Sequence, residues 1–206
     1  LKGYDKFWVA PGDKLAIVKG EYRTSNIIEP ADGQLPFKDP EGQAKKNMEG
    51  FRIYMTGKAP YEGPEEPTLS ERCLIGFGQT GGPGMLSVLY NNNYQIVQTP
   101  GAVMILTEMI HDVRVIPIGG KHGPTNIPKW GGDSIGWYEG NTLVVETINS
   151  HPKQRSYISP TGRVTERYTR WSDDELYYEF RVDDPVLYTE PWGGEMSLRV
   201  SDKPVY

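Results

Sequence analysis

Hydrophobic positions cluster in short runs between Asn93 and Val200. These are Asn93–Gln98, Ala102–Met109, Val113–Ile118, Ser134–Glu139, Thr142–Ile148, Arg163–Trp171, Glu175–Val182 and Glu195–Val200. Each is rich in Val, Ile, Thr, Tyr, Phe or Trp and is bounded by Gly, Pro, Asn, Asp or Ser, which predicts strands. Nothing between them is long enough for a crossover helix, so neighbours are expected to pair antiparallel. The expectation is a mainly β fold: an antiparallel up-and-down barrel of lipocalin or calycin-like shape over 85–206. An N-terminal arm, one or two short helices and a long Pro/Gly-rich loop fill 1–84, within a single domain over 1–206. A barrel of about eight strands has room for side chains or one small ligand.

Alternation within the runs sets Leu176, Tyr178, Phe180 and Val182 on one face and Tyr177, Glu179 and Arg181 on the other. It also leaves Glu108, Glu146 and Glu166 on otherwise apolar stripes. An unpaired carboxylate is costly in a packed interior. These residues therefore face solvent, or they face an interior that holds water, a ligand or arginines. Both alternatives stand on the pattern alone.

Upstream, Leu15–Val18 and Ser25–Ile28 read as strands, with a turn over Glu29–Gly33. Asp39–Gly50 is the best helix candidate, with Asp39 as cap, Pro40 at the first position and Gly50 as stop. Gly76–Gly81 matches the G-x-G-x-x-G pattern by letter. Gly82-Pro83-Gly84 forbids the helix that such a motif requires, so the stretch is a loop. The loops 119–133 and 149–162 are placed at a barrel mouth.

Composition narrows the function. A net charge of −5 lacks the basic face of a nucleic-acid binder. No apolar run reaches the roughly 18–20 residues of a membrane span. The single cysteine, Cys73, excludes an internal disulfide and is expected to be a buried structural thiol. Opening on Leu1 rather than Met fits a processed or trimmed product. No cofactor motif is present, so no cofactor is expected. His111, His122 and His151 show no metal-ligand spacing, and no metal is expected either.

The densest polar cluster is Glu108-Met-Ile-His-Asp-Val-Arg114. An imidazole moves protons near neutral pH, a carboxylate can orient it, and a guanidinium can hold a carboxylate or oxyanion. His111 is accordingly the candidate acid/base, Asp112 or Glu108 its orienter, and Arg114 a polarising group. The same residues also fit plain turn chemistry, with Arg114 paired to Glu108. Tyr94, Trp137, Glu166, Tyr178 and Trp192 are the candidate substrate-binding residues on the barrel wall. The expected activity is acid/base chemistry, by a lyase, dehydratase or isomerase, on a small, partly hydrophobic organic molecule. The alternative is a lipocalin-like carrier of a small hydrophobic ligand. A homo-oligomer is compatible with either, and a filled barrel with a purely structural role is a third reading.

Several stretches together resemble an uncharacterised bacterial domain family. They are Arg23–Gly33, Glu71-Arg-Cys73, Tyr90–Pro100, Glu108–Arg114, Trp130–Trp137, Glu139–Val145, Glu166-Arg167 and Asp183-Asp-Pro185 with Pro191-Trp192. The resemblance spans nearly the whole chain. Similar proteins are typically exported, so it implies a periplasmic or secreted protein, and it implies no particular activity. Trp130-Gly-Gly-Asp-Ser134 stands where the family usually has Trp-Leu-Gly-Asp-Ser, and the loop around His122 also departs from the pattern.

Overall fold

A computed structural model describes residues 15–57, 61–76, 80–154 and 157–202. The start of the expected arm and the middle of the Gly76–Gly81 stretch lie outside the described residues. Eleven strands and one α-helix are present among the described residues. A hairpin pairs β1 (Ala16–Val18) with β2 (Glu21–Arg23). Three strands, β4 (Tyr94–Gln98), β5 (Ala102–Thr107) and β6 (Val113–Pro117), form one antiparallel sheet. The other is six-stranded. It runs β3 (Ile27–Glu29), β11 (Trp192–Arg199), β10 (Glu175–Asp183), β9 (Arg163–Arg170), β8 (Thr142–Ile148), β7 (Asp133–Glu139).

The fold is therefore mainly β and antiparallel, as the runs predict. It is not a closed barrel. The two larger sheets meet at one corner, where Ile118 bridges Gly136 in parallel and the Gly119 N–H donates to the Gly136 carbonyl at 2.8 Å. At the opposite seam, among the described residues, no ladder joins β4 to β11. The interior is also filled. The sheets share one core that includes Met85, Val103, Ile105, Ile116, Val145, Tyr178, Phe180 and Trp192. Residues 82–85 are all buried and thread between the sheets, where a lipocalin would keep a cavity.

The alternation is realised in β10, where Tyr178, Phe180 and Val182 are buried. Rings stack along this face: Tyr168 lies 4.8 Å from Tyr178, and Phe180 lies 5.4 Å from Trp192, edge to face. Two glycines let the threaded segment through. Gly84 (φ +69°) lies where a Cβ would sit 3.2 Å from the Phe180 ring. Gly82 (φ +77°) lies where a Cβ would sit 2.5 Å from Arg114 Nη1.

Helix α1 spans Pro40–Thr56, beyond the expected stop at Gly50. Asp39 Oδ1 accepts the Gly42 N–H at 2.9 Å, so the expected cap holds. Gly50 keeps helical geometry, and Gly57, in the left-handed region, ends the helix instead. Cys73 is exposed, not buried.

Candidate functional site

The strand period puts Arg114 and Ile116 on the inner face of β6, and Val164, Glu166 and Tyr168 on the inner face of β9. Arg114 and Glu166 thus meet across the core. Arg114 Nη1 donates to Glu166 Oε1 at 3.0 Å and Nη2 to Oε2, a two-pronged pair. Glu166 is fully buried, and the Arg114 side chain is 10% exposed. Glu166 Oε1 also accepts from the Tyr178 hydroxyl at 2.7 Å, the Tyr168 hydroxyl at 3.2 Å and the Gly84 N–H at 3.2 Å. Tyr178 in turn accepts the Met85 N–H at 2.7 Å. Arg114 also donates from Nε to Ser134 Oγ and from Nη2 to Thr147 Oγ1, both at 3.2 Å.

Burial works against both charges, and their mutual attraction outweighs it. The carboxyl of Glu166 is held below the usual carboxylate range, and the guanidinium of Arg114 is held more firmly protonated. Burial first, and the Glu166 charge second, push the Tyr168 and Tyr178 hydroxyls well up. The tyrosines therefore stay protonated and act as donors.

A cleft of about 280 Å³ opens beside this pair. Gly82, Asp112, Arg114, Lys129, Trp130 and Ser134 line it. Burial pushes the Asp112 carboxyl up, partly offset by N–H donors of Val113 and Gly76 and by Arg114. The Trp130 indole stacks on His151 with ring centres 3.9 Å apart. Lys129 Nζ pairs with Asp133. Asp133 also accepts from Gly123 N at 2.7 Å and lies 3.1 Å from His122 Nδ1. His122 Nε2 lies 3.0 Å from Glu146. The two carboxylates occupy opposite ring nitrogens, so they brace the imidazole rather than share a metal with it. Among the described residues, no group of His, Cys, Asp and Glu is arranged as a metal site.

Of the residues singled out in the sequence, Asp112, Arg114, Glu166 and Tyr178 come together at the cleft and its floor. His111 does not join them. It is exposed on a tight turn, with φ of 53° at Ile110 and 58° at His111, and its ring has no partner among the described residues. Glu108 does not pair with Arg114. It accepts from Asn93 N at 3.1 Å and Asn93 Nδ2 at 2.8 Å, which ties β4 to the end of β5. Trp137 is half-exposed and bonds Glu139. Trp192 is core. The Tyr94 hydroxyl is buried without a partner among the described residues, and burial raises its pKa. Sequence reasoning did not assign Lys129, Asp133 or Ser134 a site role, although the Trp130–Ser134 motif had drawn notice to that stretch.

No protein-family model matches the chain, and no curated protein or solved structure matches it either.

Proposed function

We propose that the cleft over Arg114 binds a small carboxylate-bearing organic molecule. The protein is then an acid/base enzyme of the lyase, dehydratase or isomerase type, in which Asp112, not His111, moves the proton. One observation carries this reading: a carboxyl that burial holds towards its protonated form opens on the same small cleft as a fixed guanidinium and a serine hydroxyl. A volume of about 280 Å³ suits a molecule of few heavy atoms. Arg114 is neutralised by Glu166 and Lys129 by Asp133. Burial raises the Asp112 carboxyl towards its neutral form, which lessens its repulsion of an anionic substrate. Short-chain hydroxy acids and the enoic acids formed by their dehydration are the substrates to assay. Asp112→Asn abolishes turnover and His111→Ala leaves it unchanged. The opposite pattern sinks the assignment.

The carrier reading rests on a different place. A recess of about 340 Å³ lies at the open seam among β1, β4 and β11, with Ile17, Tyr94, Met196 and Leu198 in its lining. A hydrophobic ligand seated there would cover the open seam between β4 and β11. Displacement of a fluorescent apolar probe from wild-type protein but not from Met196→Asp supports it. Equal displacement from both removes it. We further infer an exported protein from the resemblance of the motif set. Cell fractionation of the native host tests this, with cytoplasmic recovery as the contrary result.

A further inference from the structure

Ser134 and Thr147 stand directly opposite each other on β7 and β8. Their hydroxyl oxygens lie 2.8 Å apart, and each accepts an N–H of Arg114 at 3.2 Å. A hydroxyl has one hydrogen to give and two lone pairs to receive. Were Ser134 the donor of the shared bond, the Thr147 hydrogen would be left over. Thr147 is only 1% exposed, and among the described residues no second acceptor meets its hydroxyl. A buried donor without an acceptor is costly, whereas a spare lone pair costs little. Thr147 is therefore the donor. Gly132 holds it in place: a Cβ there would sit 2.6 Å from Thr147 Cγ2, so packing against that backbone fixes the rotamer. Ser134 then has both lone pairs filled, by Thr147 and by Arg114 Nε, and its own hydrogen unspent. Ser134 lines the cleft.

Arg114 itself is poorly placed to grip a ligand. Nη1 and Nη2 hold Glu166, while Nε and the other Nη2 hydrogen hold Ser134 and Thr147. Both two-pronged edges of the guanidinium are thus spent inside the protein. Its remaining N–H, on Nη1, lies on the edge away from Ser134, beside Gly82. We propose that the Ser134 hydroxyl hydrogen is what binds the ligand's carboxylate oxygen, with Arg114 acting through it and Thr147 as the positioning residue that turns it into the cleft. This rests on the reading of the cleft as a carboxylate site and adds a specificity to it. Ser134 presents a hydrogen and no lone pair, so the atom it meets must be an acceptor. Two donors bonded to its oxygen, one of them a cation, polarise the O–H and favour an anionic acceptor.

Proton NMR of the ligand-free protein tests the hydroxyl directions, and titration with glycolate tests their use. Without ligand, the Thr147 hydroxyl proton is expected as a slowly exchanging signal with a cross-peak to the Ser134 β-protons. The Ser134 hydroxyl proton is expected to exchange with water too fast to be seen, and to emerge when glycolate saturates the cleft. This measurement needs no substitution. Ser134→Ala is expected to weaken glycolate binding about tenfold or more. Thr147→Val frees a lone pair on Ser134 for an N–H donor. The preference for glycolate over glycolamide is then expected to narrow about threefold or more, and Thr147→Ser to restore it. A Thr147 of merely structural importance would weaken both probes alike, and that result overturns the proposal. So does a ligand-free protein in which the Ser134 hydroxyl proton is the protected one, bonded to Thr147. If wild type and Ser134→Ala bind glycolate equally, the proposal falls and the carboxylate cleft stands. If wild type binds no glycolate, both fall.

Discussion

The interior of this protein holds a full charge pair where a β fold of this size usually has only apolar side chains. Arg114→Met leaves the buried Glu166 carboxylate, among the described residues, with two tyrosine hydroxyls and the Gly84 N–H. Glu166→Gln keeps the shape and leaves Arg114 as an uncompensated cation. Breaking a buried pair from one side costs about 3–5 kcal/mol. With the carboxylate wholly buried and the guanidinium 10% exposed, solvent offers little relief. Each single variant therefore consumes a large share of the roughly 5–15 kcal/mol that holds a domain folded. The double variant removes both charges. Its remaining losses are the bonds from Arg114 to Ser134 and Thr147. Its cost should fall short of the sum of the singles by about 2–3 kcal/mol. Urea unfolding followed by tryptophan fluorescence measures all four proteins, provided the slope stays constant across the set. Additivity within about 0.5 kcal/mol would refute the pairing as the organising interaction. So would single variants that each cost under about 1 kcal/mol.

Three further outcomes follow from the same geometry. Because the Glu166 pKa is lower folded than its ordinary value of 4.5, its stabilisation is present above that value and is lost as pH falls through the folded pKa. Acid titration of stability should therefore be less steep below pH 4.5 in Glu166→Gln than in wild type, and an unchanged slope would contradict this. Gly84→Ala should cost about 1–3 kcal/mol by calorimetry, because it places a side chain at positive φ against Phe180; a cost near zero would show that the threaded segment is not held there. His111→Ala should change stability by less than about 0.5 kcal/mol, since the ring is exposed and has no partner among the described residues; a larger loss would show that its turn carries more than local geometry.

Strand-by-strand, the pattern was readable. Every predicted run from Asn93 onward lies on a strand, and the carboxylate stranded on the apolar stripe of β9 was the right signal for an interior charge. Its partner was not readable, because Arg114 and Glu166 belong to different sheets and no local spacing links them. Arg114 looked like a partner for Glu108, six residues away, but the turn at Ile110 and His111 sends Glu108 back to Asn93 instead. Barrel closure failed as an inference because strand count says nothing about what fills the interior. Here Gly82-Pro83-Gly84, which read as loop, and Met85, which read as the start of the barrel, occupy that space. The helix ran past Gly50 because glycine stops a helix only where the backbone turns left-handed, and that happens at Gly57. The braces of His122 depend on β7 and β8 lying side by side, a tertiary fact that the departures in its loop concealed.

The cleft over Arg114 is most directly tested by titrating isotope-labelled protein with a short-chain hydroxy acid and following the amide and indole signals. The account predicts shifts confined to Gly81, Gly82, Val113, Trp130 and Ser134, with the same map in His111→Ala and a weakened one in Lys129→Ala. No shifts at saturating acid, or shifts centred on Met196 and Leu198 at the open seam, would contradict it.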